Sequence, residues 1–329
     1  MILIGDSLTI LKTLPDQHVH TCVTSPPYWG LRDYGVDGQI GLEKSPQEFV
    51  IKMVELFREV RRVLRDDGTL WLNLGDSYTG SSVGGAQGKS GAMANRGHTQ
   101  KHLLDKSKGA KIPAKNLVGI PWLVAFALQA DGWILRQDII WSKPNPMPES
   151  VRDRCTKSHE YIFLLSKNPK YYFDMNAIKE PCSPNTHARM ARAKPDHAES
   201  QRAHGGDRRG GRSMGPRLAG VNPKAAKNSP GSKQNESFSA AISGSVTHRN
   251  KRSVWSVSSQ PFKGAHFATF PQNLIKPCIL AGCPPEGIVL DPFLGSGTTG
   301  LVARAHNRKF IGIELNPEYA QMARNRCKL

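Results

Sequence analysis

The sequence predicts an α/β fold in which strands alternate with helices, and three stretches carry that prediction. Met1 to Ile4, the Leu8, Leu11, Leu14 spacing and the apolar alternation from His18 to Val23 read as strand, helix, strand. Ser45-Pro46 opens an amphipathic helix with Phe49, Val50, Met53, Leu56, Phe57, Val60 and Leu64 on one face, and Thr69 to Leu74 follows as a strand. Far downstream, Gly287 to Leu290 reads as a strand entering Asp291, then a glycine turn, then a helix from Thr298 to about His306. A chain of 329 residues is long enough to bury a sizeable core under such a sheet.

Each element has a local reason. Met1-Ile2-Leu3-Ile4 runs straight into Gly5-Asp6-Ser7 without a basic leader, so it is a strand start rather than a signal peptide. Pro15-Asp16 breaks the first helix. The next strand ends at Ser25-Pro26-Pro27-Tyr28, where consecutive prolines hold φ and remove backbone donors. The turn is therefore stiff, with a hydroxyl before it and an aromatic face after it. A rigid acceptor cluster beside a flat platform suits a planar amino group, although taken alone it also reads as a strand-ending turn with a surface aromatic. Gly30 to Gly41 is a loop carrying Arg32, Asp33 and Tyr34, and Asp66-Asp67-Gly68 ends the amphipathic helix.

Ser77 to Gly109 is rich in Gly, Ser and Lys and is expected to be a long, partly mobile loop. A helix then runs through Trp122, Val124, Phe126, Ala127 and Leu128 to Asp131-Gly132. Trp133 to Trp141 and Tyr161 to Leu165 read as a pair of strands around the irregular Lys143-Pro144-Asn145-Pro146-Met147-Pro148. Regular structure resumes near Val254 with a helix from Pro271 to Ala281. Phe310 to Glu314 is a strand, and Pro317 opens a last helix to Cys327.

The formal net charge of +18 implies a polyanionic partner, though a ribosome-associated or membrane-surface protein would fit the charge alone. The excess is concentrated between Lys179 and Arg252, a glycine-rich stretch poor in apolar residues that includes Arg208, Arg209, Arg212, Lys251 and Arg252. It reads either as a solvated linker or as a nucleic-acid-binding insert that orders on its target, and the rest of the chain favours the insert. No apolar run is long enough to span a bilayer. The six cysteines form no C-x-x-C pair, which points to reduced cytosolic thiols and to neither a zinc site nor a disulfide framework.

Asp291-Pro292-Phe293-Leu294-Gly295-Ser296-Gly297-Thr298 is where a ligand is expected. Glycines 295 and 297 let it lie against the backbone, and the helix start offers free N–H groups. No Lys follows the glycines, so this is not a phosphate loop. Glu314 ends the next strand about twenty residues on, the place for a carboxylate that binds ribose hydroxyls. Asp291 suits an ammonium group rather than a second phosphate. Ribose plus an amino acid points to S-adenosyl-L-methionine.

Thr24-Ser25-Pro26-Pro27-Tyr28, followed far downstream by Asp291-Pro-Phe-Leu-Gly-Ser-Gly-Thr-Thr, resembles the β class of DNA amino-methyltransferases, the cytosine-N4 and adenine-N6 family. Gly5-Asp6-Ser7-Leu8, Asp138-Ile-Ile-Trp-Ser-Lys-Pro-Asn, His159-Glu-Tyr-Ile-Phe-Leu, His266-Phe-Ala-Thr-Phe-Pro and Gly312-Ile-Glu-Leu-Asn add to the resemblance. It covers the chain except roughly residues 77–111 and 179–252. It implies a permuted, Rossmann-like seven-stranded sheet, mostly parallel with one antiparallel strand, its first strand lying beside the C-terminal ones. Residues 1–178 would then be the catalytic half, with the mobile loop at about 77–111. Residues 179–253 would be a basic target-recognition insert, and residues 254–329 the cofactor-binding half of the same domain.

By the same resemblance, Ser25, Pro26, Pro27 and Tyr28 are the catalytic turn and Asp6 contacts the adenine of the cofactor. Glu314 takes the ribose, Asp291 with Phe293, Gly295, Ser296, Gly297 and Thr298 holds the methionine part, and Thr269, Phe270 and Pro271 close over it. Each of these acids also reads as a helix cap or turn residue, Asp6 most of all. The expected reaction is methyl transfer to the exocyclic N4 of cytosine in duplex DNA. The base is flipped onto Tyr28, its amine donates to the Pro26 carbonyl and Ser25 Oγ, and attack is direct and in line. A serine is commoner before Pro-Pro-Tyr in the cytosine-N4 group. Being neutral, it could take the amine proton while donating elsewhere, for instance to the cytosine N3. Residues around Trp29 and Tyr34 would sense ring size.

Adenine N6 is the alternative target. An RNA or protein-glutamine methyltransferase would place the cofactor motif first and an Asn before the prolines, and a non-catalytic DNA-binding protein would not keep every site position filled. Pro181-Cys182, a lookalike of a carbon-5 cytosine motif, lies in the basic insert and is discounted. The expected setting is the cytoplasm of a bacterium, or a phage gene, with double-stranded DNA as partner and no membrane. The protein would be a monomer or homodimer, and any cognate restriction endonuclease would act separately.

Overall fold

The computed structural model describes residues 1–79, 112–182, 247–260 and 270–328. Most of the loop expected at about 77–111 and most of the basic stretch 179–252 lie outside the described residues. The chain divides into two compact units, one of residues 1–178 with 252–329 and one of residues 179–251. The first unit opens with β1 (Ile2–Ile4), α1 (Ser7–Thr13), β2 (Val19–Thr24), α2 (Pro46–Val63) and β3 (Leu64–Leu74). It continues with α3 (Ile120–Ala130), β4 (Ile134–Ser142) and β5 (His159–Ser166). In the second unit a short antiparallel ladder joins β6 (Glu180–Pro181) to β7 (His248–Arg249). The first unit resumes with β8 (Val254–Ser256), α4 (Gln272–Gly282), β9 (Ile288–Asp291), α5 (Thr298–Ala305), β10 (Lys309–Glu314) and α6 (Pro317–Cys327).

The sheet runs β1-β10-β9-β2-β3-β5-β4-β8. Only β5 is antiparallel, pairing in that sense with both β3 and β4. β1 lies against β10, with Ile2 opposite Gly312. Among the described residues the sheet thus has eight strands where seven were expected. The eighth is a three-residue edge that sets Trp255 opposite Trp141 and buries both indoles. A second departure is β3, which begins at Leu64 rather than Thr69. Asp66-Asp67-Gly68 does not end the helix but runs extended, because Asp67 and Gly68 accept from Tyr172 N and Lys167 N.

The two faces of the sheet carry separate apolar layers. Side chains alternate along the strands, so Leu70, Leu72, Leu74, Phe163 and Leu165 meet α1, α2 and α3, whereas Trp71, Ile162 and Leu164 meet α4, α5 and α6. The face of α2 read from the sequence is buried, with Phe49, Met53, Phe57 and Val60 at 0% exposure. Ser45 caps that helix by accepting from Glu48 N. α3 lacks a cap of its own, and Asp76 supplies one from beyond β3 by accepting from Gly119 N and Ile120 N. Among the described residues no helix is long and apolar enough to cross a membrane.

Candidate active site

Parallel order places the carboxyl ends of β1, β2, β3, β4, β9 and β10 on one edge of the sheet, and the antiparallel β5 brings its first residues to that same edge. The edge opens into a crevice of about 650 Å³ within the first unit. Asp6, Ser25, Pro26, Pro27 and Tyr28 line it together with Phe270, Phe293, Gly295, Ser296, Thr298 and Glu314. Two distant motifs therefore share one cavity at the place where open α/β sheets bind ligands.

The β9–β10 side is built on two acids. Asp291 ends β9 and is 1% exposed. Its carboxylate accepts from Thr24 Oγ1 (2.7 Å), Phe293 N (3.0 Å) and Thr299 Oγ1 (2.6 Å). Burial pushes its pKa up to about 6 against the pull of those donors. Asp291 is not among the groups lining the crevice. The acid expected to meet the ligand instead lies behind the turn and ties β9 to β2 and α5. Glu314 does line the crevice, where its oxygens accept from Gly295 N (2.7 Å) and Asn316 N (2.9 Å). Burial raises its pKa, and those two amides lower it.

The glycine turn is held from behind by α6. Gly297 has φ +86°, and a Cβ there would fall 2.9 Å from Ala323 Cβ. Arg326 donates to Ser296 O, Ser296 Oγ and Thr298 Oγ1, so these hydroxyls face a cation of the chain itself. Asp6 caps α1, accepting from Thr9 N (2.8 Å) and Thr9 Oγ1 (2.7 Å), yet it also lines the crevice. Phe270 lines it too, while Pro271 is the buried N-cap residue of α4. Thr269 lies outside the described residues, as do Arg208, Arg209 and Arg212 of the basic segment. Arg252, at the start of the resumed first unit, gives its carbonyl to Trp255 Nε1; Lys251 ends the second unit.

The β2–β5 side brings Asn73, Lys143 and Glu160, to which the sequence assigned no role, to the Ser25–Tyr28 turn. Tyr28 Oη lies 2.7 Å from Glu160 Oε2 and 3.3 Å from Asn73 Oδ1, and Ser25 Oγ lies 3.5 Å from Tyr28 Oη. Glu160 is paired with Lys143, whose ammonium sits 4.3 Å above the Trp141 ring. Asn73 Nδ2 donates to Glu160 Oε2 (3.2 Å) and to the Tyr161 carbonyl (3.0 Å). Burial, then the Glu160 charge, holds the Tyr28 phenol well above its usual pKa, so it stays a neutral donor. The ring fits only because residue 75 is glycine, since a Cβ there would lie 2.5 Å from Tyr28 Cε2. Tyr34 and Tyr319 complete the wall near Glu314, whereas Trp29 is 1% exposed and belongs to the core.

The fit to S-adenosyl-L-methionine follows from this donor set. The crevice is lined by the glycine turn, the Glu314 carboxylate, the rings of Phe270, Phe293 and Tyr319, and the polar Ser25–Tyr28 turn. The family of DNA methylases that act as N6/N4 methyltransferases matches residues 19–325. The Type II methyltransferase M.Cfr9I of Citrobacter freundii is 44% identical over 328 residues, which cover 98% of this chain and 86% of that protein. Among solved structures, the PvuII DNA methyltransferase (cytosine-N4-specific) superposes with a TM-score of 0.59 at 19% identity, over 99% of this chain and 85% of that one. The Thermus thermophilus protein TTHA0409, complexed with S-adenosyl-L-methionine, gives 0.55 at 20% identity, over 99% and 92%. At such identities the two structures speak for the fold. The chain belongs to the N6/N4 DNA methylase family. It is a DNA methyltransferase, and its methyl donor is S-adenosyl-L-methionine.

Proposed function

We propose that this methyltransferase acts on the exocyclic N4 of cytosine in duplex DNA. The observation that carries the reading is that Ser25, Pro26, Pro27 and Tyr28 line the same crevice as Phe293, Gly295 and Glu314. When bound, S-adenosyl-L-methionine supplies an electrophilic methyl carbon. Glu314 and the Phe293–Thr298 turn hold the cofactor's ribose and methionine parts, with Asp6 at its adenine. Asp291 acts through that turn by fixing its backbone rather than by touching the ligand. Ser25 Oγ and the Pro26 carbonyl accept the two amine protons, and Tyr28 gives the flipped base a face to stack on. Transfer is direct, and no residue forms a covalent bond to the base.

The preference for cytosine rests on Ser25. Its neutral hydroxyl leaves the adjacent N3 lone pair unopposed, where an aspartate would be acceptor-only and charged. Digestion of treated DNA to nucleosides and mass spectrometry tests the reading, with N4-methylcytosine the expected product. N6-methyladenine as the sole product would overturn the choice of base and leave the crevice assignments standing. DNA recognition is assigned to the basic segment, in the cytoplasm of a bacterium. Neutralising Arg208, Arg209 and Arg212 is expected to reduce the log–log salt slope of DNA binding by about one unit per lost phosphate contact. An unmoved slope would make that stretch a linker.

A further inference from the structure

Methylating an amine leaves a proton to be removed, and the β2–β5 wall holds a route for it. The amine lone pair forms the new N–C bond while the C–S electrons stay on sulfur. The cationic nitrogen must then shed one of its two protons to become a neutral methylamino group. We infer that Ser25, Tyr28 and Glu160 form a proton relay that carries this proton from the base to the Glu160 carboxylate. The inference rests on the Ser25–Tyr28 turn receiving the flipped base, and it serves cytosine or adenine equally.

Three observations carry it. Donation along the chain of groups runs one way, from Ser25 Oγ to Tyr28 Oη and from Tyr28 Oη to Glu160 Oε2. The Tyr28 hydroxyl has a single proton, and its 2.7 Å contact with Glu160 is far shorter than its 3.3 Å contact with Asn73. Glu160 itself is placed near the start of an antiparallel strand, its side chain 15% exposed, with Lys143 on one oxygen and Asn73 on the other. A carboxylate so held gains nothing for packing; a hydrophobic side chain would fill that wall more cheaply. As Ser25 takes the amine proton, its own passes to Tyr28 and that of Tyr28 passes to Glu160. Both hydroxyls end neutral, Glu160 ends protonated, and it returns the proton to solvent when the base leaves. Ser25 is the catalytic residue of this path, whereas Tyr28 and Glu160 act through it. The Ser25–Tyr28 separation of 3.5 Å must shorten once a base bears on the hydroxyl.

The competing account is that Glu160 merely pins the Tyr28 ring. Single-turnover rates of the full chain on a duplex bearing its recognition site, mapped by sequencing DNA the enzyme has methylated, separate the two. Tyr28→Phe keeps the ring and removes the relay, and Glu160→Gln keeps an acceptor that cannot take a proton. Each is expected to lower the rate by about 10²-fold, and the double variant by no more than a few-fold further. With 2-aminopurine at the target position, emission of the cofactor-free complex is expected to match wild type in both variants. A rate loss that tracks weakened emission would overturn the relay in favour of ring positioning. Rates within about threefold of wild type would overturn it outright. Ser25→Ala then locates the failure: a slow Ser25 variant beside two fast ones sinks the relay alone, and three fast variants sink the reading of the turn as the base site.

Discussion

On the β9–β10 side of the crevice most donors to the two acids lie within 19 residues in the chain, and Thr24 is the distant exception. Asp291 takes an amide two residues on and a hydroxyl eight residues on, and Glu314 takes an amide two residues on. On the β2–β5 side the partners come from far apart: Tyr28 and Asn73 are 45 residues apart, Asn73 and Glu160 are 87, and Tyr28 and Glu160 are 132. The first side is a rigid local motif that is complete before any ligand arrives. The second is a meeting of three strands and a loop, with one long hydroxyl contact of 3.5 Å. On the proposed reading, binding rests mainly on local backbone geometry and chemistry on tertiary register. Thr24 joins the two, since it ends β2 next to Ser25 and donates to Asp291.

The largest expected effect breaks that joint. Asp291→Ala strands three donors, Thr24 Oγ1, Thr299 Oγ1 and Phe293 N, in a site 1% exposed. Each buried unsatisfied group costs about 1–3 kcal/mol, so a loss of about 4 kcal/mol in urea unfolding is expected. Affinity for S-adenosyl-L-methionine is expected to fall more than about tenfold by calorimetry, because the turn loses its anchor. Unchanged affinity would free Asp291 from any role in the site.

A second change is confined to the chemical side. In Gly75→Ala the new Cβ would lie 2.5 Å from Tyr28 Cε2, so the ring must move. Displacing a positioning group by about 1 Å costs on the order of 10²-fold in rate, with cofactor affinity expected to stay at wild type. The counterpart on the binding side is Gly297→Ala, where φ is +86° and Ala323 Cβ stands 2.9 Å away. It is expected to cost about 2 kcal/mol of stability and to weaken the cofactor, while DNA binding by gel shift survives. Should the two glycine variants produce the same phenotype, the two sides are not separable.

The same contrast decides what was legible in the sequence. The strand–turn–helix around Asp291 and the helix Pro317–Cys327 were readable because their caps and breaks are local. The placement of Asp291 was not, since an acid lining a crevice and one buried behind the turn have the same spacing. Lys143, Asn73 and Glu160 had no role assigned from the sequence: Lys143 and Glu160 fall in stretches that add to the family resemblance, and Asn73 in none. Their meeting depends on register, which sets Glu160 opposite Trp141 and Asn73 opposite Ile162. The extended Asp66–Gly68 segment was unreadable for a related reason: its neighbours from residues 167 and 172 override a turn-like composition.

The smallest expected effect concerns pH and isolates the buried acid from its hydrogen bonds. Burial pushes Asp291 up to about 6, above the 3.8 of an ordinary aspartate, so the folded state binds this proton more tightly than the unfolded chain. Stability contributed by the proton is fully present below the unfolded value and is lost as pH rises through the folded one. Between about pH 7 and about pH 5 this group alone is expected to make the fold about 1 kcal/mol more stable. Asp291→Asn keeps an acceptor for Thr24 and Phe293 but cannot titrate. The difference in unfolding free energy between wild type and this variant is therefore expected to shift by that amount over the interval, with wild type gaining on the acid side. A difference that stays flat would mean the three donors offset the burial in full and the acid behind the turn is an ordinary carboxylate. A difference of the opposite sign would mean they over-compensate and hold the charge in place.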